Sequence, residues 1–143
     1  MLHRLVPVVF ALGSVAFAMG ANAATDPCKL VSQAEASKAL AAAAQAGEKA
    51  QGTSGATCRY YSPDHTKNVF VQMMSPATVN GMESTLHLKP LAGVSVPAYW
   101  LAGSVFMAKG AQAAQVTLYT GVSSMQKMEP GLVPLAKLVA GRL

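Results

Sequence analysis

The 143-residue chain is poor in the residues from which most catalytic sites are built. Charged residues make up 12% of it, and there are only 2 cysteines. The sequence has no C-x-x-C pair, no zinc-type ligand spacing, no phosphate loop and no G-x-S-x-G motif. Glu83 and His87 would share a helix face, but no second acid lies near them in sequence, which favours a solvated surface pair. These absences predict a protein that is not an enzyme and holds no cofactor.

Basic residues are also too scattered for nucleic-acid binding. The formal net charge is +5, but lysines and arginines are spread from Lys29 to Arg142 without a cluster. A surface that follows phosphates needs a basic stripe with interleaved aromatic residues. Nucleic acid is therefore not an expected partner.

The one long apolar run lies at the N-terminus. Arg4 precedes an apolar stretch over residues 5–19, and small residues follow at Ala21 and Ala23. This layout is typical of a secretory signal peptide, and the run is near the lower limit of about 17 residues for a membrane span. We predict a signal peptide over residues 1–23 and a single domain over residues 24–143. The mature protein is then periplasmic or secreted, without stable membrane insertion.

Cys28 and Cys58 are the only candidates for a disulfide. Two cysteines in an exported chain are usually paired, and closing a loop of this length stabilises a domain by about 3.5 to 4 kcal/mol. Thr25, Asp26 and Pro27 precede Cys28, which disfavours a lipid anchor. A reactive thiol at a helix start, activated by free backbone amides, is the remaining alternative.

Helical and strand patterns alternate along the rest of the chain. Ser32 and Glu35 fit a capping box, which predicts a helix from about residue 33 to 46, and residues 47–56 have the composition of a loop. Alternation on the next strand places Cys58 and Tyr60 on one face. The further elements are strands at 57–62 and 69–75, a helix at 77–88, strands at 98–101, 104–108 and 113–120, and a helix within 130–143. The order α-ββ-α-βββ-α predicts an α+β domain with a mainly antiparallel sheet, packed helices and one disulfide.

Several short motifs occur in the order of a known family. Residues 26–35, DPCKLVSQAE, resemble the DPC-x-L-[LV]-[ST]-x-x-E opening of small exported bacterial proteins and lipoproteins of unknown function. Residues 58–60 resemble the C-x-[YW] strand of that family. Residues 93–100 are similar to its G-[LV]-G-D-x-A-[YW] turn, with Ser95 and Val96 in place of Gly and Asp. The resemblance implies the Cys28–Cys58 bridge and a PsbP/Mog1-like sandwich, and it implies no activity.

Aromatic side chains on the predicted strands are the candidates for ligand or partner contacts. Neighbours on a strand point to opposite faces, so one residue of each adjacent aromatic pair enters the core and the other is available to solvent. Exposed aromatic residues on a sheet commonly mark recognition surfaces, although core packing is the alternative. We predict contacts at Tyr61, Tyr99 and Trp100. The expected function is an exported, non-enzymatic binding or accessory domain for an unknown protein or small ligand in the cell envelope.

Two other functions are compatible with the sequence. Thioether and imidazole ligands suit copper, and Met125, Met128 and His87 are the candidate ligands for a periplasmic copper-binding protein. Methionine is also a common core residue, which disfavours this hypothesis. The second alternative is an inhibitor or immunity protein that blocks a secreted enzyme.

Overall fold

The computed structural model describes residues 25–121 and 125–143, without the side chains of residues 125–129. The predicted signal peptide at 1–23 lies outside these residues. The elements are α1 (Pro27–Leu30), α2 (Gln33–Leu40), β1 (Glu48–Gly52), β2 (Gly55–Tyr61), β3 (Asn68–Met74), α3 (Pro76–Leu86), β4 (Lys89–Pro90), β5 (Ala98–Leu101), β6 (Ser104–Lys109), β7 (Gln112–Tyr119) and α4 (Met125–Arg142). In the described ranges, no helix combines the length and the apolar character needed to cross a membrane.

The strands form one seven-stranded sheet in the order β1-β2-β3-β7-β6-β5-β4, and every neighbouring pair is antiparallel. The long β3–β7 pairing joins the first half of the chain to the second. The predicted α+β class, the antiparallel sheet and the rough order of elements are therefore confirmed.

The helix predicted to run to residue 46 ends earlier, at Leu40. Ala41 adopts a left-handed conformation with a φ of 50°, which stops the helix. The chain beyond it is held by other bonds: the Ala44 amide donates to Ser37 Oγ at 2.9 Å, and the Gln45 amide donates to the Tyr61 carbonyl at 2.8 Å. Tertiary hydrogen bonds thus override the helical propensity of the alanines.

The segment expected to be a loop contains a strand. Residues 48–52 form β1 and pair with β2 through a tight turn at residues 53 and 54. The two-residue β4 was also not predicted. Both strands lie at the edges of the sheet, and all of their residues are exposed, so neither has the alternation that indicates a strand.

One face of the sheet carries the main core, covered by α1, α2 and α4. Cys58 and Tyr60 point to this face, as the alternation predicted, and Cys28 is bonded to Cys58 with the Cα atoms 5.2 Å apart. The predicted disulfide is confirmed, and it joins α1 to β2. Tyr60 Oη donates to the Val31 carbonyl and, at 3.2 Å, to the Cys28 carbonyl. Cys58, through the disulfide, and Tyr60, through these hydrogen bonds, therefore both attach the N-terminal segment to β2.

The opposite face is covered only in part. Helix α3 packs on β6 and β7, where Val79, Phe106 and Ala113 form a second, smaller core. On β1, β2 and β3 the side chains of this face remain at least partly exposed. We call this uncovered part, together with the adjoining end of β7, the open face. Its residues are Glu48, Ala50, Thr57, Arg59, Tyr61, Asn68, Phe70, Gln72, Gln115, Thr117 and Tyr119.

Candidate binding surface

Arg59 lies at the centre of the open face and is held by aromatic rings. Its guanidinium carbon is 4.7 Å from the centre of the Phe70 ring and 5.9 Å from that of Tyr61. Arg59 Nη1 also donates a hydrogen bond to Tyr61 Oη at 3.2 Å. Stacking on aromatic faces is favourable for a guanidinium and restricts its orientation. The cation is therefore fixed at the surface while its residue remains exposed.

A shallow cleft of about 250 Å³ lies beside Arg59. Tyr61 and Phe70 supply its aromatic wall, and Ala50 and Thr57 supply small side chains. Glu48, which is paired in register with Arg59, lines it as well. Among the described residues, no carboxylate oxygen lies within 4 Å of the Arg59 guanidinium. The cleft thus offers a cation with open hydrogen-bonding capacity next to apolar surface.

Tyr119 lies in the same row of the sheet as Tyr61, with Asn68 between them. Tyr61 pairs in register with Asn68, and Asn68 pairs with Tyr119. The Tyr119 side chain is 54% exposed, one of the two most exposed large hydrophobic residues in the part of the chain described. On the other side of Tyr61, the His65 ring stands 4.8 Å from its ring centre. Tyrosine and arginine, together with tryptophan, are enriched among the few residues that carry most of the binding energy at protein interfaces.

Polar side chains beside this cluster are bonded to one another. Ser104 Oγ and Thr117 Oγ1 are 2.6 Å apart, and Gln115 Nε2 donates to both, at 3.1 and 3.2 Å. This network lies on β6 and β7, at the margin of the open face that is nearest to α3. Because its hydroxyl groups already have partners, it forms a rigid border to the aromatic cluster.

Only one of the three predicted aromatic contacts lies on the open face. Tyr61 is there, half-buried beside Arg59. Tyr99 is half-buried against the smaller core under α3. Trp100 belongs to the main core and is only 9% exposed, and its Nε1 has no hydrogen-bond partner among the described residues. As the sequence predicted, the two residues of each adjacent pair point to opposite faces of the sheet. In the pair Tyr99 and Trp100, however, neither side chain is freely exposed.

Three members of the surface were not predicted from the sequence, namely Arg59, Phe70 and Tyr119. The signal for them was present in the alternation of the predicted strands at 57–62, 69–75 and 113–120. What was lacking was the pairing of β3 with β7, which places Tyr119 in the same row as Tyr61.

The copper candidates are not brought together by the described structure. His87 caps the C-terminal end of α3 and is exposed. Met125 and Met128 are in the first turns of α4, and their side chains lie outside the described residues. Within the described residues, no group of three or more His, Cys, Asp or Glu side chains is placed to hold a metal ion. Copper binding stays a prediction.

A second cleft, of about 370 Å³, separates α2 from α4 on the opposite side of the molecule. Its wall is mainly apolar, with Ala39, Leu135 and Leu138, and Glu35 and Lys38 stand at its rim. Glu35 is already engaged, since Arg142 Nη1 and Nη2 donate to its two carboxylate oxygens at 2.8 and 2.7 Å. These bonds to Arg142 lower the pKa of Glu35 to about 2. The carboxylate at this cleft is therefore already bonded within the domain.

No protein-family model, curated protein or solved structure matches this chain. The resemblance to the exported family and the PsbP/Mog1-like architecture therefore stay predictions.

Proposed function

We propose that the chain is an exported, non-enzymatic binding domain that acts in the periplasm or outside the cell and contacts a partner protein through its open face. The observation that carries this proposal is the cluster of Arg59, Tyr61, Phe70 and Tyr119, which lies at least partly exposed on a sheet whose other face carries the main core. The rest of the domain supplies a stable support. A rigid surface loses little conformational freedom on binding, which favours affinity.

The composition of the open face supports protein recognition in particular. The centres of protein interfaces are enriched in aromatic residues and arginine and depleted in lysine and acidic residues. The open face has three aromatic residues and Arg59, with Glu48 as its one acidic residue. An inhibitor or immunity protein would be one form of such a domain, with a secreted enzyme as its partner.

Site-specific cross-linking tests this proposal. The photoreactive residue p-benzoylphenylalanine replaces Tyr119 on the open face or Leu86 on α3, two large side chains with the same exposure of 54%. A third variant carries it at Lys38, at the rim of the α2–α4 cleft. Each variant is exported in the native cell and irradiated, and adducts are detected by their size.

We expect a discrete adduct from position 119 that is absent from positions 86 and 38. An adduct from position 38 alone would move the binding surface to the helical side. Equal adducts from all three positions, or none from any, would contradict the proposal that the open face selects a partner.

A further inference from the structure

We propose that Arg59 receives a carboxylate from the partner, so that the segment bound on the open face carries an acidic side chain. This inference rests on the proposed function and adds the chemistry of the contact.

Most hydrogen-bond donors of Arg59 are unused within the described structure. A guanidinium has five N–H donors in a planar fork, and it has no hydrogen-bond acceptor. The hydrogen bond to Tyr61 Oη uses one of them. The described residues place no carboxylate oxygen within 4 Å of it, in contrast to Arg142, which donates two bonds to Glu35 and one to the Leu30 carbonyl. Arg59 therefore keeps the paired donors that a carboxylate matches.

The position of the guanidinium is set before a ligand arrives. Phe70 lies under it on β3, and Tyr61 flanks it on its own strand. Both rings belong to residues of the paired strands β2 and β3, in which Tyr61 lies opposite Asn68. Because arginine loses considerable rotamer freedom when it becomes ordered, this prior restraint strengthens binding.

The neighbouring charges favour a single carboxylate over a more highly charged anion. Glu48 lies in register opposite Arg59, although the two side chains are not within ion-pair distance. Lys49 also lines the cleft, but its ammonium group is paired with Asp26. Asp64 is bonded within its own turn to Ser62 and Thr66. Arg59 with Glu48 nearby is a weak site for a doubly charged phosphate. The aromatic side chains around it suit the apolar residues that would flank an acidic residue in a peptide.

Two tripeptides test this assignment against each other. Acetyl-Tyr-Glu-Leu-amide and acetyl-Tyr-Gln-Leu-amide differ only in the charge at the central position, and phenyl phosphate tests a phosphate source. Each is titrated to 10 mM into the oxidised, exported protein labelled with ¹⁵N. The readouts are the Arg59 side-chain Nε–H signal and the backbone amide signals of Tyr61 and Phe70.

We expect the Glu peptide to shift these signals and to bind about fivefold more tightly than the Gln peptide, the size of a partly exposed charge-assisted contact. Arg59→Gln should remove the difference between the peptides, and Arg59→Lys should reduce it, because lysine neither stacks nor binds in a bidentate manner. Glu48→Gln should strengthen binding of the Glu peptide about twofold by removing a nearby like charge. Thermal unfolding of each variant checks that the exposed substitutions leave the fold intact.

Several results would overturn the assignment. They are equal binding of the two peptides, no shift with the Glu peptide, an unchanged preference in Arg59→Gln, or tighter binding of phenyl phosphate than of the Glu peptide. If any of these occurred while position 119 still gave its specific cross-link, the open face would remain a binding surface and only its acidic partner chemistry would be wrong. Loss of the cross-link itself would instead contradict the proposed function.

Discussion

The two faces of strand β2 use alternate residues of one short sequence for different purposes. Cys58 and Tyr60 point to the covered face, where one is bonded to Cys28 and the other donates to carbonyls of the N-terminal helices. Arg59 and Tyr61 point to the open face, where they contact each other, with the Phe70 ring beside Arg59 and the His65 ring beside Tyr61. The period of two in a strand thus separates residues that hold the domain together from residues that are free to bind.

This difference has an energetic consequence. Substitutions on the covered face remove buried contacts between elements, whereas those on the open face remove contacts among partly exposed side chains. Folding stability should therefore depend strongly on the first set and weakly on the second, and binding should show the reverse.

Removal of the disulfide should have the largest effect on stability. A Cys28→Ala, Cys58→Ala double variant loses the cross-link between α1 and β2, and the chain-entropy model for this loop gives a loss of about 3.5 to 4 kcal/mol in the free energy of unfolding. Chemical denaturation of the oxidised protein and the variant measures it. The reduced wild-type protein is the control and should unfold at nearly the same denaturant concentration as the variant. An unchanged midpoint in both would mean that the bridge does not stabilise the covered face.

A pair of adjacent residues on β7 compares the two faces directly. Leu118 is buried on the covered face, where an added Cβ on Gly131 of α4 would lie only 2.6 Å from its Cδ2. Tyr119, the next residue, is 54% exposed on the open face. Leu118→Ala should lower the free energy of unfolding by about 3 kcal/mol, because it leaves a cavity between sheet and helix, while Tyr119→Ala should change it by less than about 0.5 kcal/mol. Urea denaturation of the wild type and both variants measures the two free energies of unfolding, provided that the three curves have the same m-value. A comparable loss of stability in both variants would contradict the separation of the faces.

The sequence predicted the covered face better than the open one for a physical reason. The capping box at Ser32 and Glu35, the paired cysteines and the alternation around Tyr60 are local signals, and each of them appears in the structure. They fix which side of β2 meets the first helix. The place of Tyr119 on the open face depends instead on the pairing of β3 with β7, which no local pattern encodes.

The edge strands were not predicted from the sequence, for a different reason. All five residues of β1 are exposed, so burial imposes no alternation on the strand. Its one glycine and its polar residues have the composition of a loop. The early end of α2 could not be predicted from residues 41–46 either, since their alanines favour helix. The hydrogen bonds that unwind this segment come from Ser37 and from the carbonyl of Tyr61.

The smallest loss of stability that we predict for the covered side concerns the ion pair that ties α2 to the end of α4. Glu35 accepts two hydrogen bonds from Arg142 and one from the Ser32 amide at 2.8 Å, and the Arg142 bonds are the main cause of its pKa of about 2, against an ordinary value of 4.5. A lowered pKa in the folded state stabilises the protein above pH 4.5, and this contribution declines as the pH falls from 4.5 towards 2. Glu35→Gln should therefore lower the free energy of unfolding by about 1 kcal/mol at pH 7, since solvent screens the pair, and should make little difference near pH 2.

Glu48→Gln on the open face is the matched control for this pH dependence. Glu48 is exposed, and the described residues place no basic side chain within 4 Å of its carboxylate, so the substitution should leave the free energy of unfolding at pH 7 unchanged. Urea denaturation of the wild type and both variants between pH 7 and pH 2 gives the comparison. If Glu48→Gln destabilised the protein as much as Glu35→Gln at pH 7, the acid on the open face would be part of the folding contacts. Its proximity to Arg59 would then serve stability, and the guanidinium would be less free for a partner.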